Sequence, residues 1–180
     1  MANVYFDSCC FIDLIKQIAG ILPTDRANDV WYCNKLLEAS QKADAKVFTS
    51  FMTFAECTHA KDENDQKIIT EDVRKAIDGF FFSVRAGVTP VQPSIFVLER
   101  IRSLTWDDGI FLKGFDALHV GSALVAECSE FITTDDRISD DAKAVLLDKH
   151  HLTVCSAPQT VALPPHYLQQ NLDHGHKAAE

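Results

Sequence analysis

The sequence predicts an α/β protein with three layers, in which helices cover both faces of a central, mainly parallel sheet. Short apolar runs alternate with longer segments of helical spacing along the chain, and no repeat or Gly/Ser linker divides its 180 residues. This alternation is typical of βαβ units, in which a helix connects two parallel strands. In such a sheet, ligands bind outside the carboxyl ends of the strands.

The first elements follow from short apolar runs and helical spacing. Residues 3–6 are a short apolar run that indicates a buried strand, and residues 10–19 follow as a helix. Residues 27–44 carry apolar side chains at helical spacing, which predicts a second helix. Residues 46–49 are predicted to form the second strand, and residues 51–60 the helix after it.

The next stretch changes character along its length. Residues 61–78 begin with a highly charged part, which indicates a solvated turn, and then become amphipathic. We therefore expect a helix from about Glu71 into the cluster of phenylalanines at 80–82. Residues 87–91 suggest a third strand, with Pro90 at a strand end because proline cannot donate to the sheet.

The remaining elements complete the alternation. The spacing of apolar residues at 94–104 predicts an amphipathic helix. Residues 115–127 are almost entirely apolar, which predicts a central helix. Residues 130–133 are then predicted as a strand, 139–149 as a helix and 151–155 as a last short strand.

Residues 1–156 are expected to form one domain, because compact domains are commonly of this length. Residues 157–180 are rich in proline and then in histidine. We expect them to form a partly disordered surface extension with some helix at 158–163.

Composition and charge limit the classes of function. The net charge is −9, from 17 Lys+Arg against 26 Asp+Glu, so a global basic field for nucleic acid is absent and a polyanion would need a local basic patch or a metal ion. No segment approaches the roughly 18 uncharged apolar residues of a membrane span, and the amino-terminal sequence does not fit a signal peptide. The six cysteines lack CxxC spacing, which favours reduced thiols in a cytoplasmic protein over a zinc site.

Four acids fall at the predicted carboxyl end of the sheet. Asp7 directly follows the first strand, and Asp135 comes two residues after the strand at 130–133. Glu56 lies in the second turn of the helix after the second strand, and Asp116 opens the central helix. The topology therefore predicts that these four carboxylates meet on one rim of the sheet.

Each acid also has a structural alternative. Asp7 suits an Asx turn, Thr53 with Glu56 fits the S/T-x-x-E capping box, and Asp116 and Asp135 suit helix starts. In combination, however, the four carboxylates would repel one another in a partly desolvated cleft unless a cation neutralised them. Because oxygen ligands select hard cations, we predict one or two Mg²⁺ or Mn²⁺ ions.

Four short motifs contain these acids, in order along most of the chain. They are FDS at 6–8, FAE at 54–56, KGFDALHVGSAL at 113–124 and FITTDD at 131–136. Together they resemble the motifs of the PIN-domain nucleases, in particular the VapC-like ribonuclease toxins, and DALHVGSAL with ITTDD is the most specific part. The chain is longer than the compact toxins, with additional sequence around 60–90 and after 156.

The resemblance implies a PIN-like fold and a metal-dependent hydrolysis of RNA phosphodiester bonds by water. Asp7 and Asp116 would be the main metal ligands, Glu56 would bind metal or orient the attacking water, and Asp135 would hold a second ion. Asp136 stands beside Asp135, so the fourth ligand is ambiguous by one residue.

The resemblance also implies neighbours and partners of the site. Ser8 and Thr133 match the small hydroxyl positions beside the acids. RNA would be the substrate, and many proteins of this type are toxins held inactive by an antitoxin protein. A homodimer is implied in the same way.

Further residues near these motifs have two interpretations each. His119 follows Asp116 by three residues on the same helical face, so it could donate to an acid, although such a histidine is more often a packing residue. Lys113 and Arg137 could contact phosphate or be solvated surface charges. The phenylalanines at 80–82 could stack on bases, although core or dimer packing is the commoner role.

Two other functions are considered. A phosphatase of the haloacid-dehalogenase type would need a DxD motif after the first strand, but the sequence there is Asp7-Ser8-Cys9. A non-catalytic PIN-like module that binds RNA or protein stays open as the alternative. Elsewhere, Trp31, Phe96 and Trp106 are predicted to be core residues.

Overall fold

The computed structural model describes residues 1–61, 66–83 and 87–169. The strands in these ranges are β1 (Ala2–Phe6), β2 (Ala45–Ser50), β3 (Ala60–Lys61), β4 (Lys67–Ile68), β5 (Val88–Val91), β6 (Glu130–Ile132) and β7 (Thr153–Cys155). The α-helices are α1 (Ser8–Ile18), α2 (Ala27–Gln41), α3 (Thr53–Glu56), α4 (Glu71–Ser83), α5 (Ile95–Trp106), α6 (Gly114–Val125), α7 (Asp140–His150) and α8 (Pro165–Gln169).

Five strands form a central sheet in the order β5-β2-β1-β6-β7, and neighbouring strands are parallel throughout. The predicted α/β class with a central parallel sheet is therefore confirmed. The predicted strands at 3–6, 46–49, 87–91, 130–133 and 151–155 all correspond to strands of this sheet.

Alternation along the central strand divides the core into two parts. Val4 and Phe6 of β1 pack into a cluster with α1, α2 and α4, whereas Tyr5 packs into a second cluster with α5, α6 and α7. Successive side chains of a strand point to opposite faces, so one buried strand supplies both clusters. Helices therefore cover both faces of the sheet, as the three-layer prediction requires.

The helix predicted at 51–60 is much shorter in the structure. Helix α3 ends at Glu56, and the backbone N–H of Thr58 donates to the carbonyl of Glu56 over 2.8 Å, which is a turn too tight for a continuing helix. The chain then enters β3, which pairs with β4 in a two-stranded antiparallel ladder that the sequence analysis did not predict.

Two aromatic residues predicted for the core lie on the surface. Phe96 is 65% exposed and Trp106 is 73% exposed. Helix α5 buries Val97 and Leu104, which are seven residues apart on one stripe, and the two aromatic residues lie outside that stripe. Trp31 is partly buried and packs edge-on against Tyr32.

The segment after residue 156 is part of the packed structure as far as residue 169. Ala157, Leu163 and Tyr167 are buried in the cluster that contains α1 and α2, and the Tyr167 hydroxyl donates to Asp44 over 2.7 Å. Its helical residues are a 3₁₀ turn at Ala157–Gln159 and helix α8, rather than a helix at 158–163. The rest of the predicted extension, 170–180, lies outside the described residues.

Two predictions about the whole chain concern membranes and thiols. In the three ranges that the structure describes, no helix has both the length and the apolar character needed to cross a membrane. All six cysteines carry free thiols.

Candidate functional site

The four acids predicted from the sequence lie along the carboxyl edge of the central strands, and we call them the acid rim (Asp7, Glu56, Asp116 and Asp135). Asp7 follows β1, and its N–H donates to the carbonyl of Ile132 over 3.0 Å, which continues the pairing with β6. Glu56 ends α3, Asp116 lies in the first turn of α6, and Asp135 follows β6.

Asp7 is held in place by donors from two elements. The residue is only 6% exposed, and its carboxylate accepts from the Ser8 N–H at 2.7 Å and the Thr133 hydroxyl at 2.8 Å. The Cys9 thiol donates to the same carboxylate over 3.5 Å. Asp7 is thus the N-cap of α1, a role close to the Asx turn given above as its structural alternative. Its buried carboxylate is also fixed at the edge of the sheet.

Thr133 connects two members of the acid rim. Besides donating to Asp7, its hydroxyl oxygen accepts the backbone N–H of Asp135 over 3.0 Å. Asp135 is the acid engaged at this edge, because Asp136 next to it is exposed. Ser8, in contrast, acts mainly through its backbone N–H, since its hydroxyl lies 3.5 Å from Asp7.

His119 lies between two of the acids and is only 1% exposed. Its Nε2 is 2.6 Å from Glu56 Oε2 and 3.8 Å from Asp7 Oδ1, and its Nδ1 is 2.8 Å from the Tyr5 hydroxyl. Burial and the charge of Asp7 raise the pKa of Tyr5 well above its usual value, so the hydroxyl keeps its proton. The carboxylate of Glu56 accepts from Nε2 of His119.

The contacts of His119 decide between its two interpretations. It is a buried residue, but its ring is used to orient Glu56 and is not merely packed. Tyr5, which completes this chain of hydrogen bonds, was not predicted as a site residue because it stands inside an apolar strand with no distinguishing motif.

Arg137 joins the other two acids. Its Nε donates to Asp135 Oδ2 over 2.6 Å, its backbone N–H donates to Asp135 Oδ1 over 2.9 Å, and its Nη2 lies 3.1 Å from Asp116 Oδ1. The Arg137 side chain is 61% exposed, whereas that of Asp116 is only 16% exposed. Arg137 is therefore an ion-paired residue and not a freely solvated charge.

The surroundings of Asp116 disfavour its ionised form. Burial raises the pKa of Asp116 above its usual value, and the charges of Asp7 and Asp135 raise it further, against the opposing effect of Arg137. One guanidinium thus fails to offset burial and two neighbouring carboxylates. Such a perturbed carboxyl group in a cleft is typical of functional sites.

The acids are thus gathered on one edge but are separated into two pairs, Asp7 with Glu56 around His119 and Asp116 with Asp135 around Arg137. Within residues 1–61, 66–83 and 87–169, no group of three or more His, Cys, Asp or Glu side chains is arranged so that it could hold a metal ion. The oxygens of the four carboxylates are ligands that suit Mg²⁺ or Mn²⁺. The side chains of His119 and Arg137, however, lie between the carboxylates of each pair.

A cleft of about 430 Å³ opens beside the acid rim. Its lining residues are Glu56, Phe111, Leu112, Lys113, Gly114, Phe115, Asp116 and Arg137. Lys113 is exposed at the start of α6, and Phe111 is among the most exposed large apolar residues of the described chain. Neither Phe111, in the loop before α6, nor Phe115, in its first turn, was predicted as a site residue, because an aromatic side chain does not by itself indicate contact with a ligand.

Two further expectations can be compared with the structure. Thr53 does not form a capping box with Glu56, because Met52 is the N-cap of α3 and the Thr53 hydroxyl bonds to that of Thr49 at 2.7 Å. Phe80 is buried in the core and Phe81 packs against Phe54, which agrees with packing roles. The side chain at position 82 lies outside the described residues.

Comparisons of the chain with protein-family models, with curated proteins and with solved structures gave no significant match. The geometry of the acid rim and the motifs therefore carry the functional argument.

Proposed function

We propose that the protein is a Mg²⁺- or Mn²⁺-dependent ribonuclease of the PIN type that hydrolyses RNA phosphodiester bonds. The observation that supports this most is the acid rim, where carboxylates from four separate elements share one edge of the sheet beside an open cleft. The raised pKa of Asp116 adds to this support, because burial and two neighbouring acids disfavour a carboxylate charge that a divalent ion would stabilise.

Asp7, Asp116 and Asp135 would hold the metal, with Glu56 as a further ligand or as the residue that orients water. A divalent ion at these carboxylates would activate water and neutralise charge on the phosphate. Asp7 is oriented for this role by Ser8 and Thr133, while the imidazole of His119 fixes Glu56 at the edge of the cleft.

Lys113 and Arg137 line the same cleft and are the residues we propose for contact with the RNA phosphates. Basic side chains supply the affinity for a polyanion that the acid rim cannot. By resemblance to VapC-like proteins, we further propose a toxin function in the cytoplasm, an antitoxin as protein partner and a homodimer.

The decisive experiment is an RNA cleavage assay in Mg²⁺ or Mn²⁺ with the wild type and Asp116→Asn. We expect the substitution to slow cleavage at least about 100-fold, which corresponds to about 3 kcal/mol of lost transition-state stabilisation. Asp136→Asn is the matched control, because Asp136 is a nearby exposed acid and should cut like the wild type. Equal cleavage by the wild type and Asp116→Asn would contradict the assignment.

A non-catalytic module that binds RNA or protein is the second candidate, and the pairing of the acids with His119 and Arg137 favours it. Thermal melting with and without Mn²⁺ separates the two functions. An ion that binds only the folded protein must raise the melting temperature by mass action. A melting temperature unchanged by Mn²⁺, together with no cleavage, would support the binding module.

A further inference from the structure

Arg137 contacts both oxygens of Asp135 and one oxygen of Asp116. Its backbone N–H takes Oδ1 at 2.9 Å and its Nε takes Oδ2 at 2.6 Å. Its Nη2 lies 3.1 Å from Oδ1 of Asp116. A metal ion that bridged Asp135 and Asp116 would need the space between them that the guanidinium occupies, so Arg137 would have to give up at least one of these contacts.

The Arg137 side chain can leave without disturbing the core. It is 61% exposed and stands in the loop between β6 and α7, where the next residue, Ile138, is buried and anchors the backbone. Ion pairs of such an exposed side chain contribute little to stability, because water solvates the separated charges well. Rotation of the side chain is thus a small cost for the protein.

The charge balance also favours exchange of the guanidinium for a divalent ion. The guanidinium brings one delocalised positive charge to two carboxylates, those of Asp135 and Asp116. A compact ion with two positive charges would interact more strongly with the same oxygens.

We propose that Arg137 is the resident counter-cation of Asp116 and Asp135, and that a divalent metal ion must displace its guanidinium in order to bind there. The proposal rests on the proposed function, since it takes these carboxylates as metal ligands. It makes Arg137 a residue that sets the metal affinity of the site.

The test is calorimetric titration of Mn²⁺ into the wild type, Arg137→Gln and Lys113→Gln, without RNA. Lys113→Gln is the matched control: it removes one positive charge from the same cleft, and Lys113 makes no ion pair with any residue in the described part of the chain. Removal of either positive charge lowers the long-range repulsion of Mn²⁺, so this effect should be common to both variants. Only Arg137→Gln also removes a side chain that competes with Mn²⁺ for Asp116 and Asp135. We expect Arg137→Gln to bind Mn²⁺ about fivefold more tightly than Lys113→Gln does.

Arg137→Lys provides a second measurement. Lysine keeps the charge but lacks the planar fork that contacts two carboxylates, so its Mn²⁺ affinity should fall between those of the wild type and Arg137→Gln. Equal affinities in Arg137→Gln and Lys113→Gln, or weaker binding by Arg137→Gln than by the wild type, would overturn the displacement and leave the ribonuclease proposal standing. Absence of Mn²⁺ binding in every variant would instead overturn the metal-dependent function itself.

Discussion

Two carboxylate settings in this protein contrast with each other. The acid rim brings four carboxylates to two nitrogen-bearing partner side chains, His119 and Arg137. The second setting, which we call the Asp108 clamp, has one carboxylate and two partners, with Lys149 Nζ at 2.7 Å and His150 Nε2 at 2.7 Å.

The two settings shift the pKa of an aspartate in opposite directions. Hydrogen bonds from Lys149 and then His150 lower the pKa of Asp108, whereas burial and neighbouring acids raise that of Asp116. The ionised form is therefore favoured in the Asp108 clamp, which ties the loop after α5 to the end of α7, and disfavoured at the acid rim. The comparison teaches that the clamp stabilises an ionised aspartate with two hydrogen-bond donors, whereas the rim holds Asp116 in surroundings that disfavour its charge.

The largest effect on stability is expected at the buried histidine of the acid rim. His119→Leu removes the ring that contacts both the Tyr5 hydroxyl and Glu56, and we expect a loss of about 2–3 kcal/mol in the free energy of unfolding. Urea unfolding measures this loss. Tyr5→Phe is the matched control because it removes one hydroxyl from the same chain, at a cost of about 1 kcal/mol. Equal stability of His119→Leu and the wild type would show that the chain of hydrogen bonds contributes nothing.

An intermediate effect is expected in the Asp108 clamp. Asp108→Asn should lower the free energy of unfolding by about 1 kcal/mol at pH 7, because the ionised carboxylate is favoured in the folded state. A lowered folded pKa gives stability that is present above the unfolded pKa, about 4, and is lost as the pH falls through the lower folded pKa. Urea unfolding at neutral and acidic pH should show the difference between the two proteins vanish in acid; a constant difference would assign it to packing instead of charge.

The smallest effect, with the opposite sign, is expected for Asp116→Asn. Since the folded pKa of Asp116 is raised, ionisation at pH 7 disfavours the folded state, and the variant should match the wild type or exceed it by up to about 0.5 kcal/mol. Stability of the wild type is lost as the pH rises through this raised folded pKa, so the difference should shrink towards pH 4. A clear loss of stability in the same urea experiment would place Asp116 with Asp108 as a structural acid.

Much of the fold could be predicted because it depends on local pattern. Strand β1 is a short apolar run followed by a capping aspartate, and α6 is an apolar helix, so both follow from neighbouring residues. The prediction at 51–60 was wrong because the end of α3 depends on a turn at Thr58, which no periodicity records. Trp106 was wrongly assigned to the core because aromatic character alone does not say which side of α5 is covered.

The sequence by itself determined the alternation of strands and helices, and with it the placement of Asp7 and Asp135 at strand ends. Only the tertiary structure decided which side chains lie between the acids. The Tyr5–His119 contact joins residues 114 positions apart and the His119–Glu56 contact joins residues 63 positions apart. Such pairings depend on strand order and on how helices dock against the sheet, which local periodicity does not encode, because it records only which face of each element is buried.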